Sequence, residues 1–143
     1  LDFATLTGSA MRAIGKEASV MMGTADKSTK KKLRKAGNST GERMVEFPLW
    51  DEYGDYMKSE IADLKNLGPM DAGAITAGKF LEHFTDYPWV HFDIAGPAYI
   101  SSNYNYRGKW STAYGVRLLF KFVQNQCKDD NTQPEKKSRN NAR

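Results

Sequence analysis

The run Trp89-Val90-His91-Phe92-Asp93-Ile94-Ala95 constrains this chain more than any other segment. Bulky aromatic and branched residues fall at both parities, so either orientation of a strand leaves large apolar groups on each face. Such a strand is stable only with both faces covered, as in the interior of a parallel or mixed sheet. Gly96-Pro97 stops it. Two further runs are strand-like: Leu1–Leu6, which ends at Thr7-Gly8, and the apolar Ala18–Met22, which ends at Gly23. Met44–Phe47 is a short extended piece closed by Pro48.

Helical segments lie between these strands. One is expected from about Ser9 to Ile14, stopped by Gly15. A second carries the basic run Lys27, Lys30, Lys31, Lys32, Arg34 and Lys35, with Asp26 or Ser28 as its cap and Gly37-Asn38 as its end. Asp51–Met57 accommodates one or two turns, and Ala72–Phe84 is a helix whose small residues allow close packing on a sheet. The last helix is expected from about Ala113 to Gln126, with Val116, Leu119, Phe120 and Val123 as its apolar stripe. Ile61–Leu67 alternates before Gly68-Pro69, and Ser101–Lys109 has no usable period and reads as a loop. Strands alternating with helices imply a layered α/β domain with a mostly parallel or mixed central sheet.

At 143 residues, with 40% hydrophobic and 12% aromatic side chains, the chain is long and apolar enough for a real core. No apolar run approaches membrane-spanning length. The opening Leu-Asp-Phe-Ala-Thr reads as a strand entered midway, so the chain is expected to be incomplete at its N-terminus. The net charge of +4 is shared with the end of the chain: five basic and three acidic residues lie from Lys128 on, leaving sixteen basic against fourteen acidic before them. Residues 128–143 are therefore expected to form a polar, flexible tail. The Lys27–Lys35 run reads as a solvated helix face rather than a nucleic-acid site. A lone Cys127 excludes an internal disulfide and suits a reducing compartment.

In α/β domains ligands bind beyond the carboxyl ends of strands. Thr5-Leu6-Thr7-Gly8 and Ala95-Gly96-Pro97-Ala98 both meet that description, although tight turns need glycine in any case. Asp93, in the core strand, requires hydrogen-bond partners or a cation, and is read as an anchor for neighbouring loops. His83 and His91 show no metal-ligand spacing and are read as structural. Asp51, Glu52 and Asp55 resemble an acidic helix start.

Read in order, the chain resembles the leucine aminopeptidases of the cytosol aminopeptidase family. Ala4-Thr5-Leu6-Thr7-Gly8 is similar to the family's A-T-L-T-G, and Gly41-Glu42-Arg43 with Pro48-Leu49 and Glu52-Tyr53 to G-E-R…P-L-x-x-E-Y. Ser59–Asn66 resembles S-x-I-A-D-x-x-N, Gly73–Ala77 G-A-I-T-A, and Phe80-Leu81 with Phe84 F-L-x-x-F. Trp89–Gly96 is similar to W-x-H-x-D-I-A-G, and Tyr114–Leu119 to F-G-V-R-L-L. These blocks are collinear over residues 1–127, which would form the C-terminal part of the catalytic domain.

The resemblance implies a two-metal enzyme, with zinc or manganese, that releases N-terminal residues from peptides and favours leucine. It also implies a cytoplasmic homo-hexamer that acts on peptides with a free N-terminus. In the family, the metal ligands and catalytic Lys and Arg lie on motifs that precede A-T-L-T-G. Those motifs do not occur here, so neither catalytic nor metal-binding residues are expected in this chain. The substrate side carries over: Thr5, Gly8, Ala95 and Ala98 correspond to positions lining the pocket for the first side chain. The backbone around Leu6 and Gly8 corresponds to that holding the substrate main chain, and Asp93 stands beside the cleft. Two departures are Trp110-Ser111-Thr112-Ala113 in place of G-A-T-G, and Val45 in place of an aromatic. An alternative reading is a catalytically inactive standalone half that serves as a binding or assembly module.

Overall fold

A computed structural model of the chain describes residues 1–131. Four strands form its main sheet: β1 (Asp2–Ala4), β2 (Ser19–Gly23), β3 (Met44–Glu46) and β4 (Val90–Asp93). Their spatial order is β1-β4-β2-β3. β4 runs parallel to β1 and antiparallel to β2, and β2 runs parallel to β3, so the sheet is mixed. The central place of β4 follows from its side chains. All four of its residues are buried, as a strand bulky on both faces demands.

The two faces have separate cores. Val90 and Phe92 point, with Met21, toward Leu33 and Leu118, where helices α2 (Lys27–Thr40) and α5 (Val116–Asn131) pack. Val20 and Met22 point the other way, toward Ala10, Ala74 and Ile75 on α1 (Gly8–Ile14) and α4 (Gly73–Glu82). Strand alternation places His91 and Asp93 on this second face. The short α3 (Glu52–Asp55) lies against α4. Small residues set how close these layers come: a Cβ at Gly78 would lie 2.9 Å from the Met22 sulfur.

Several boundaries differ from the sequence reading. Asp26 caps α2, with its carboxylate accepting the Thr29 amide and hydroxyl, each at 2.9 Å. The helix does not end at Gly37-Asn38 but continues to Thr40, and Gly41 closes it in the left-handed region at φ 73°. Gly37 is a packing glycine instead, since a Cβ there would stand 2.5 Å from the Glu42 carbonyl. Lys30 and Arg34, from the basic run, both pair with Glu46 on β3.

Helix α5 begins at Val116, three residues later than expected, and reaches Asn131, five residues past the expected end. Its stripe was misassigned. Val116 and Phe120 are 65% and 69% exposed, whereas Leu118 is fully buried and Phe122 packs beside it. Apolar residues in its first two turns fall on more than one side, so its period alone does not choose a face. Glu42 chooses it: this buried carboxylate accepts the Gly115 amide at 3.1 Å and the Leu118 amide at 2.8 Å. It also meets Arg117 Nε at 3.2 Å. A residue remote in sequence thus caps the last helix. Glu42→Gln keeps an acceptor but loses the charge, and is expected to cost about 1–2 kcal/mol, read as a lower urea midpoint at unchanged slope.

The alternation over Ile61–Leu67 makes no strand; Ile61 and Leu67 are 98% and 83% exposed on an irregular stretch. The expected loop over Ser101–Lys109 is flanked by a small hairpin, β5 (Tyr99–Ile100) and β6 (Trp110–Ser111), and contains one 3₁₀ turn at Asn105–Arg107. Of the expected tail, Lys128–Asn131 belong to α5, and the remainder lies outside the described residues.

Candidate functional site

β1 and β4 are adjacent and parallel, with Ala4 opposite Asp93. Thr5–Gly8 and Ala95–Ala98 therefore leave the sheet side by side, at the carboxyl ends of two neighbouring strands. Asp93 ties them together. It is 1% exposed, and its Oδ1 accepts the Leu6 amide at 3.2 Å and the Ala95 amide at 3.1 Å. Its Oδ2 accepts the Thr7 hydroxyl at 2.6 Å. Thr7 Oγ1 in turn accepts the Ala10 amide at 3.0 Å and so caps α1. One buried carboxylate thus fixes both turns and, through Thr7, the start of a helix.

The second turn is also held sterically. Gly96 is buried with its backbone against Gly15, the positive-φ residue that closes α1, and a Cβ on Gly96 would fall 1.9 Å from the Gly15 carbonyl oxygen. Beyond it, the Ala98 amide returns to the Ile94 carbonyl, and Thr112 donates through its amide to Ala98 and through its hydroxyl to Pro97. The residues that replace the family's glycine-rich segment therefore fasten the β5–β6 hairpin onto this turn.

A cavity of about 470 Å³ opens beside the first turn. Leu6, Thr7 and Gly8 form one wall, Phe80 and Leu81 of α4 another, and Met57, Leu67 and Met70 the apolar rim. Its size and largely apolar lining suit one or two amino-acid side chains. Of the five residues expected to touch substrate, Leu6 and Gly8 line this cavity. Thr5, Ala95 and Ala98 do not; the last two sit in the adjoining turn. The irregular segment bearing Met57, Leu67 and Met70 was not read as part of a site. Its signal in the sequence is apolar side chains outside any regular element, of which Met57 is buried and Leu67 and Met70 are exposed.

The remaining candidates are structural in their contacts. His91 is fully buried, with Nδ1 facing the Asp2 carboxylate and its ring stacked near Trp89. Burial pushes the Asp2 carboxyl up, but the hydrogen bonds and charge of His91 and the bond from Trp89 outweigh it and hold Asp2 below its ordinary value. His91 Nε2 has no hydrogen-bond partner among the described residues. His83 is exposed, edge-on to Phe84. Asp51, Glu52 and Asp55 are exposed, Asp51 facing Lys79 and Asp55 pairing with Lys58. Among the described residues no group of three or more His, Cys, Asp or Glu is placed to hold a metal ion. Asp93 is already engaged by three donors and His91 by Asp2, so these residues do not fit a metal pair. No described helix is long and apolar enough to cross a membrane.

Two anchored turns and an apolar cavity thus lie at the strand ends of this mixed α/β domain. Residues 1–120 match the cytosol aminopeptidase family, catalytic domain, and the chain belongs to that family. Among curated relatives, the probable cytosol aminopeptidase of Geobacter sulfurreducens is 49% identical over 125 residues, which cover 87% of this chain and 25% of that protein. That of Clostridium perfringens is 40% identical, covering 90% and 26%. The chain thus spans about a quarter of the length of the curated relatives it matches. In solved structures, a mutant tomato leucine aminopeptidase matches with a TM-score of 0.77 at 34% identity, covering 87% of this chain and 24% of that one. The bottromycin maturation enzyme BotP in complex with Mn matches at 0.82 and 29%, covering 87% and 28%.

Proposed function

We propose that this chain is the C-terminal part of the catalytic domain of a two-metal leucyl aminopeptidase, supplying substrate-pocket walls while the metal ligands lie outside it. The observation that carries this is the Asp93 bridge, which sets Leu6–Gly8 beside Ala95–Ala98 along one side of a cleft. In that reading the exposed backbone of Leu6 and Gly8 holds the peptide main chain. Apolar side chains exclude water from the bound residues, and Thr5, Ala95 and Ala98 bound the space for the first side chain. The metal pair supplies activation of water and polarisation of the scissile carbonyl. Manganese in the BotP complex supports divalent-metal use. The substrate is a peptide with a free N-terminus, leucine being favoured, and the whole enzyme a cytoplasmic homo-hexamer.

A chimera tests this reading. Residues 1–127 replace the matching quarter of the Geobacter sulfurreducens relative, which keeps its own upstream part. The chimera is expected to hydrolyse leucine anilide in a metal-dependent manner, and a folded chimera without turnover would overturn the reading. The isolated 143-residue chain is expected to show no turnover with zinc or manganese added. Measurable metal-dependent turnover by the pure chain would show that the ligands had been misplaced.

A further inference from the structure

The cavity beside Leu6–Gly8 contains one charged residue among its described walls, Arg12. Arg12 lies on α1, one turn beyond Gly8, and its guanidinium folds back toward the first cleft turn. Nη1 lies 3.3 Å from where a Cβ on Gly8 would stand, and Nη2 donates to Ser9 Oγ at 3.2 Å. Arg12 makes no ion pair among the described residues, although the chain has acidic groups enough to pair Lys30, Arg34, Lys79 and Arg117. The other polar walls, Thr7, Ser9, Asn66 and Thr76, are neutral.

An apolar pocket with a single unpaired guanidinium at its mouth matches a ligand with an apolar group and an anion a few ångströms away. A planar guanidinium takes a carboxylate through two parallel hydrogen bonds, which an uncharged amide cannot reproduce. From this we infer that Arg12 is a specificity residue that recognises the C-terminal carboxylate of a short peptide whose apolar last residue fills the cavity. The inference rests on the aminopeptidase reading. With the peptide main chain along Leu6–Gly8, the residue after the scissile bond enters the cavity, and in a dipeptide its carboxylate lies beside Arg12. Longer peptides present a neutral amide there, so dipeptides with an apolar second residue are the favoured class.

The test uses the 143-residue chain in an NMR titration with two probes, leucyl-leucine and leucyl-leucinamide. Both are expected to shift the amides of Leu6, Gly8, Leu67 and Phe80, with the acid binding about five- to tenfold more tightly at low salt. In Arg12→Gln the difference should fall below about twofold, and in Arg12→Lys part of it should remain. Arg12 is exposed, so both variants are expected to keep the wild-type spectrum elsewhere. Equal binding of acid and amide at these walls would overturn the carboxylate inference and leave the peptide pocket standing. Wall residues unmoved by either probe would overturn the pocket and the inference together. Preference for the acid that survives in Arg12→Gln would assign it to another cation and also overturn the inference.

Discussion

Gly96→Ala is expected to abolish stable folding of this chain, or to cost about 3–5 kcal/mol where folding survives. The added methyl would sit 1.9 Å from the Gly15 carbonyl oxygen and 3.0 Å from its carbon, both backbone atoms that no rotamer change can move. To relieve the overlap, the turn after β4 must separate from the C-terminus of α1, which Asp93 and Thr7 hold in place from the other side. Gly15→Ala is the control. Its φ of 68° disfavours an L side chain, but nothing lies within 4 Å of the added Cβ. That variant incurs only the conformational term of a backbone region essentially reserved for glycine, about 1–3 kcal/mol. Urea unfolding of the two proteins separates contact from conformation. A Gly96→Ala protein within about 1 kcal/mol of the parent would mean that the two turns do not touch as described.

Close approaches of this kind also mark where the sequence was readable and where it was not. The Trp89–Ala95 run announced a strand covered on both faces because its composition left no alternative, and β4 occupies the centre of the sheet. Asp26, Gly15 and the strand ends at Thr7-Gly8 and Gly96-Pro97 were legible because caps and turns depend on local chemistry. Gly37 was misread for the same reason. As a residue type it signals a helix end, yet here it admits the Glu42 carbonyl, a contact visible only after the chain has folded back. Helix α5 failed differently. Its sequence offers apolar residues on several sides, and the face turned inward is decided by Glu42, more than seventy residues earlier.

At the site the same division holds. The adjacency of Leu6–Gly8 and Ala95–Ala98 could be anticipated from strand ends and the family pattern. The cavity could not, since one of its walls is built by Met57, Leu67 and Met70 on a stretch without regular structure. Arg12 was hidden as well, because a lone arginine on a short helix acquires meaning only from the apolar space beside it and from the absence of a carboxylate partner among the described residues.

Asp93→Ala is the second substitution expected to have a large effect, about 3–4 kcal/mol. The carboxylate accepts two backbone amides and one hydroxyl in a buried position, and alanine offers none of them an acceptor. Leaving buried donors unpaired costs more than the net gain of an ordinary hydrogen bond, because water is not there to replace the lost partner. The loss spreads further through Thr7, whose hydroxyl, oriented by Asp93, caps α1. Asp93→Asn should be milder, near 1–2 kcal/mol: its amide oxygen still accepts from the main chain, and the Thr7 hydroxyl can rotate to accept from the new NH₂ group. This ranking follows from an anchor and would not follow from a group that takes part in the reaction. In the chimeric enzyme, the alanine variant should lose thermal stability and turnover together, and lower temperature or added substrate analogue should restore part of both. An Asp93→Ala chimera that melts at the parental temperature but no longer hydrolyses leucine anilide would move Asp93 from the scaffold into the chemistry.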